Sequence, residues 1–171
     1  ANLGEEIFYS GTVSAAMEAA IQEIPAFAIS VASYDATIYE PAAEIARHIA
    51  HAILKIGLPS GTFLNVNVPH VEREKLGRVV LTRLGRRCYR NQLQKRTDPR
   101  GRPYYWFSGA PTELDSGSDT DIGAVAAGNI SVTPVQLDAT NYALLEKLRE
   151  NPEIFDVRTV GGAARGGTAK D

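Results

Sequence analysis

One segment constrains the fold more than any other: Ala26 to Ala32 (AFAISVA), a short and unbroken apolar run. A strand with one wet face alternates apolar and polar residues, whereas a run apolar throughout must be covered on both faces, which is the condition of a buried parallel strand. The surroundings supply the covers. Ser10-Gly11-Thr12 precedes Val13, Ala16, Met17, Ala20, Ile21 and Ile24 at helical spacing, and Pro25 closes that segment. Beyond the run, Ile38 to Ile56 carries Ala42, Ile45, Ile49, Ala52, Ile53 and Ile56 on one helical face and stops at Gly57 and Pro59. Phe63 to Val68 (FLNVNV) reads as a second strand, ended by Pro69. Helix, strand, helix, strand predicts an α/β layered domain with a mostly parallel sheet.

After Pro69 the pattern changes. Arg78 to Leu84 is strand-like, and two β-rich runs, Cys88 to Thr97 and Arg102 to Ser108, flank Asp98-Pro99-Arg100-Gly101, a strong turn signal. This predicts a hairpin arm over about 86–108. Its first run is too polar for a core, while Tyr104, Tyr105, Trp106 and Phe107 are too apolar to stay wet, a conflict that packing on a second subunit resolves. A Ser, Gly and Asp loop (Asp115 to Asp121) then leads into a short helix through Ala127, a strand from Asn129 to Val135, and a charged helix from Thr140 to Glu150. Residues 1–150 are thus expected to form the α/β domain and 151–171, poor in core material, a flexible tail.

Composition sets outer bounds. A domain of 171 residues buries roughly 70% of its unfolded surface without staples, and 44% apolar with 22% charged residues excludes disordered, collagenous and coiled-coil classes. The net charge of −2 gives no general pull toward nucleic acid or a membrane surface. One cysteine, Cys88, forms no internal disulfide and, with three histidines, no Cys-rich zinc site, which makes the cytoplasm the expected compartment. No apolar run approaches the roughly 18 residues that span a bilayer. The start at Ala1, within a Gly/Asn segment and without an initiator Met, reads as a loop cut open.

Several residues are candidates for chemistry. Ser10-Gly11-Thr12 at a helix start offers two hydroxyls, free backbone N–H groups and the positive end of the helix dipole, a setting for phosphate; the same residues also suit simple N-capping. Asp115, Asp119 and Asp121 could attract a hard cation, but their spacing fits no EF-hand, and a solvated loop with Thr120 or Asp121 capping the next helix is the better reading. His48 and His51, three apart on a helix, have no third ligand nearby and read as surface residues; His70, at a strand end, is a weak candidate base. Eleven of the 18 basic residues lie between Arg73 and Arg102, interleaved with Tyr89. That cluster suits either an RNA surface or an Arg-rich assembly interface. No P-loop, GxGxxG, nucleophile elbow or HExxH is present.

Three stretches together resemble the SurE family of survival-protein nucleotidases. They are Asn2 to Glu18 (NLGEEIFYSGTVSAAME) with Pro25-Ala26 and Ile29-Ser30; Leu64-Asn65-Val66-Asn67-Val68-Pro69; and Thr97-Asp98-Pro99-Arg100-Gly101 with Tyr105-Trp106, Thr120-Asp121, Ala124-Val125, Gly128 and Ile130 to Pro134. The resemblance implies a Rossmann-like three-layer core, a projecting β-hairpin used in oligomerisation, and a divalent-metal-dependent (Mg²⁺ or Mn²⁺) phosphatase acting on nucleoside monophosphates. It further implies a cytoplasmic homodimer or homotetramer. The family's metal ligands, an Asp-Asp pair, a Ser and the Asn of a Ser-Gly-Ile-Asn stretch, match positions upstream of Ala1, so no metal ligand is assigned here and the isolated chain is expected to be inactive. What carries over is Asn2, Ser10, Gly11 and Thr12 as the phosphate side of the site, with Glu5 and Glu6 where the family often has Asp. The alternative is an RNA-binding or oligomerisation module built on the basic, aromatic hairpin.

Overall fold

Ser10 has extended backbone and its Oγ accepts the Val13 N–H at 3.2 Å, which satisfies one orphan donor and starts helix α1 (Gly11–Ile21). The computed structural model describes residues 1–89, 92–108 and 111–155; Arg90 of the basic cluster and residues 156–171 of the expected tail lie outside the described residues. Ahead of α1, Gly4–Tyr9 forms a 3-10 helix that buries Leu3 and Ile7, although the sequence pattern predicts little core material in the first six residues. Two buried anchors are too few to show a periodicity.

After α1 come β1 (Phe27–Val31), α2 (Glu40–Ile56) and β2 (Thr62–Val68). Gly57, at φ 71, occupies the left-handed region that ends α2. Next are β3 (Val79–Leu81), β4 (Arg86–Tyr89), β5 (Gln92–Thr97), β6 (Pro103–Ser108) and β7 (Pro111–Asp115). They are followed by α3 (Asp121–Ala126), β8 (Ile130–Gln136) and α4 (Tyr142–Arg149).

The main sheet has the order β1-β2-β8-β3. The β1/β2 and β3/β8 ladders are parallel, so the sheet is mostly parallel as expected, but β8 runs antiparallel to β2. On one face Val13, Ala16 and Ala20 of α1 pack with Ile7, Ala28 and Phe63. On the other, Ala42, Ile45 and Ile49 of α2 pack against Val66, Val68, Ile130 and Val132. Helices on both faces of the sheet make this a three-layer α/β fold.

Across the Asp98 turn, β5 and β6 form a two-stranded antiparallel ribbon. β5 and β6 pair from Leu93↔Phe107 to Thr97↔Pro103, and Asp98 Oδ1 accepts the N–H groups of Arg100 and Arg102 at 2.8 and 2.9 Å. At its base β4 pairs with β7, with a register shift between Arg86 and Arg87. Leu93, Tyr105 and Trp106 are each 55% exposed on this ribbon. Contacts divide the chain into two units, Ala1–Leu137 and Asp138–Asp171. Within the second, Asn141 caps α4 by accepting the Leu144 N–H, and Thr140 and Tyr142 press the Asp138 carboxyl down to about 2. No helix among the described residues is long and apolar enough to cross a membrane.

Candidate functional site

Alternation along β2 puts Phe63, Asn65 and Asn67 on the face toward α1 and leaves Leu64, Val66 and Val68 on the α2 face. Both asparagines are fully buried, and burial of an amide is tolerable only when it is bonded. Their partner is Asn2. Asn65 Nδ2 and Asn67 Nδ2 donate to the Asn2 carbonyl at 2.8 and 3.0 Å, and the Asn2 N–H donates to Asn67 Oδ1 at 2.8 Å. The Asn2 side chain reaches β1, where its Nδ2 donates to Ser30 Oγ at 2.6 Å. Ser30 and Asn67 are register partners, so Asn2 lies across the β1/β2 ladder.

Asn2 borders an open cavity of about 620 Å³ at the carboxyl end of β1, and Thr12, Ser30, Ser33, Tyr34 and Tyr39 are among the residues that line it. The carboxyl edge of a parallel sheet is where open α/β folds hold ligands. Thr12 is exposed in the first turn of α1, which sets its hydroxyl beside the backbone amides that form the positive end of the helix dipole. Ser10 and Gly11 do not line this cavity: the Ser10 hydroxyl is occupied as the helix cap, and Gly11 is exposed with open space around it. Of the four expected site residues, the structure therefore brings Asn2 and Thr12 onto one cavity.

The loop holding Asn2 is fixed again two residues later. Gly4, at φ 55, donates its N–H to Asp121 Oδ2 at 2.7 Å, while Asp121 Oδ1 accepts from Gly85 and Ile122, each at 2.8 Å. The loop from Ser116 to Asp119 is exposed as expected, but Asp121 at its end is fully buried; Thr120, whose Oγ1 accepts the Gly123 N–H at 3.0 Å, is the α3 cap. Asp115 and Asp119 converge instead on Arg83, with Arg83 Nη1 2.6 Å from Asp115 Oδ2 and Nε 2.7 Å from Asp119 Oδ2. These bonds hold both carboxyls below the usual range and raise the guanidinium above its own.

No cation site emerges from the remaining candidates. His48 and His51 are exposed, and His51 Nδ1 lies 2.7 Å from the Arg47 carbonyl. His70 Nε2 accepts the Thr37 N–H at 3.2 Å. Among the described residues no group of three or more His, Cys, Asp or Glu side chains is arranged to hold a metal ion. Buried oxygens without a partner among the described residues, Asn65 Oδ1 and Ser131 Oγ, are neutral, and neither lines the cavity.

A sequence profile for the family described as Survival protein SurE matches residues 1–91, the span that holds Asn2, Thr12, Asn65 and Asn67. The chain belongs to the SurE family. Among its SurE relatives, the 5'-nucleotidase SurE of Symbiobacterium thermophilum is 49% identical over 150 residues, covering 88% of this chain and 59% of the relative. The 5'-nucleotidase SurE of Heliobacterium modesticaldum is 48% identical over 149 residues, covering 87% of the chain and 55% of the relative. A crystal structure of the SurE protein from Aquifex aeolicus superposes with a TM-score of 0.73 at 39% identity, covering 88% of this chain and 60% of that one. The chain thus spans somewhat over half the length of the SurE relatives it matches.

Sequence reasoning missed Asn65, Asn67, Ser30 and Asp121 as site-building groups. A signal existed for the first pair: two asparagines at i and i+2 in an otherwise apolar strand must share one face and find a common partner.

Proposed function

We propose that this SurE chain carries the phosphate-binding side of a site that hydrolyses nucleoside monophosphates to nucleoside and phosphate. The observation that carries the reading is the convergence of Asn2 and Thr12 on one cavity beside the start of α1. Phosphoryl transfer asks a protein chiefly for positioning and for stabilisation of charge on the non-bridging oxygens. A helix start suits charge stabilisation, because the Thr12 hydroxyl and the first-turn amides donate toward an anion. The Asn2 side-chain amide, held by Ser30 on a backbone held by Asn65 and Asn67, suits positioning by direct contact with the phosphate. Ser10 and Gly11 serve the same site from one step back, as the cap and the first residue of the helix that presents Thr12.

Dependence on a divalent ion, Mg²⁺ or Mn²⁺, is part of this proposal, and so is a cytoplasmic location. Asp115, Asp119 and Asp121 do not fit as ligands, since the first two are engaged by Arg83 and Asp121 by backbone N–H groups. The names of the relatives favour this reading over an RNA-binding hairpin. Thr12→Val in the full-length protein tests it. Because Thr12 is exposed, the fold should be retained while turnover of AMP falls about tenfold or more, as for loss of one donor to developing charge. Undiminished turnover would sink the role given to the helix start.

A further inference from the structure

We propose that Asp121 is a positioning residue for Asn2, acting through the backbone of Gly4. The inference rests on the reading above that the Asn2 amide contacts the substrate phosphate.

A fully buried carboxylate is costly unless its oxygens are well bonded, and here the bonds are all to backbone N–H groups: Gly4 on Oδ2, Gly85 and Ile122 on Oδ1. Tying α3 to Gly85, the residue that leads into β4, would need only the second oxygen. The first is committed to the loop that carries Asn2, two residues from it. That loop therefore has two anchors on different elements: Asn65 and Asn67 of β2 grip Asn2 itself, and Asp121 grips Gly4. Gly4 adopts a left-handed conformation, and a Cβ there would lie 2.7 Å from the Gly85 carbonyl oxygen, so the backbone is held close against β4 by shape as well as by the carboxylate. With both ends fixed, the Asn2 side chain stays on Ser30 and faces the cavity.

The two oxygens have separate partners, which makes an isosteric test possible. In Asp121→Asn, the remaining oxygen can serve Gly85 and Ile122, and the new NH₂ then meets the Gly4 N–H, donor against donor. The tie between α3 and Gly85 survives while the anchor of the Asn2 loop is lost.

In the full-length protein, kcat and KM for AMP with Mg²⁺ or Mn²⁺ would be measured for Asp121→Asn, Asn2→Ala and the double variant, with thermal unfolding of each. Positioning predicts that Asp121→Asn lowers kcat by about ten- to a hundredfold with a cooperative unfolding transition retained, and that it costs nothing further on top of Asn2→Ala. If Asp121→Asn does not fold, Asp121→Glu, which keeps both acceptors but pushes Gly4 outward, enters the same cycle. Losses that multiply in the double variant, or a folded Asp121 variant with wild-type kcat, would overturn the positioning role alone. An Asn2→Ala protein of full activity would overturn both this role and the phosphate contact it serves.

Discussion

Arg83 shows how much one side chain can organise. It joins the end of β7, through Asp115, to the loop that enters α3, through Asp119, and its N–H donates to the Asp119 carbonyl at 3.0 Å. The side chains remain half in water, so the pairing is weak in energy but specific in geometry. Its effect has a definite pH signature. The Arg83 bonds are the largest cause holding both carboxyls below their usual range, so their contribution to stability is complete above the unfolded value of about 4 and is lost as pH falls through the lower folded values. Arg83→Met should flatten the acid limb of a denaturation-midpoint profile by lowering the neutral plateau slightly toward an unchanged low-pH value; an unaltered acid limb would show that the clamp does not hold in solution. Neither carboxylate had a visible partner in sequence, because Arg83 lies 32 and 36 positions away from them.

Among the elements, α1 has a start that is capped by Ser10 and borders the candidate site's cavity through Thr12. Ser10→Ala should cost about 1 kcal/mol by urea titration, since it frees the Val13 N–H, and should lower turnover only as far as the first turn frays. The helices, β1, β2 and the Asp98 turn were legible because each carries a period or a punctuation residue: α1 its Ser-Gly-Thr start, α2 its Gly57 stop, the hairpin its Asp-Pro-Arg-Gly. The 3-10 helix at Gly4–Tyr9 was not, nor was the reversed direction of β8, since strand direction depends on where the chain returns to the sheet and leaves no local pattern. The run from Arg78 to Leu84 shortened to β3 at Val79–Leu81 because the backbone at Arg83 leaves β8 for the loop before α3, its N–H bonding the Asp119 carbonyl and its carbonyl accepting the Asp121 N–H. Half of the candidate site was readable, Thr12 and Asn2 through motif; the groups that hold Asn2 come from β1, β2 and α3 and meet only after folding.

For the molecule as a whole, the ribbon of β5 and β6 poses a problem of exposure. Leu93, Tyr105 and Trp106 stand half exposed on a polar backbone ladder, and Arg96 lies 6.0 Å from the Trp106 ring centre, a cation over an aromatic face. We propose that the ribbon packs on another copy of the chain in a homodimer or homotetramer. Tyr105→Ser with Trp106→Ser should lower the mass of the full-length protein by light scattering while leaving its helical circular dichroism intact; an unchanged mass would remove the ribbon from the interface. The β2/β8 ladder has a different implication. Phe63 pairs with Val135 and Asn67 with Ser131, and the whole ribbon lies between them in sequence. Pairings this distant gain nothing until a long loop has closed, so they form late and slowly. During synthesis the β2 edge, apolar on its α2 side, must wait until β8 has left the ribosome, and a nascent chain stalled before Ile130 would present that unpaired edge to chaperones or to its neighbours on the same message.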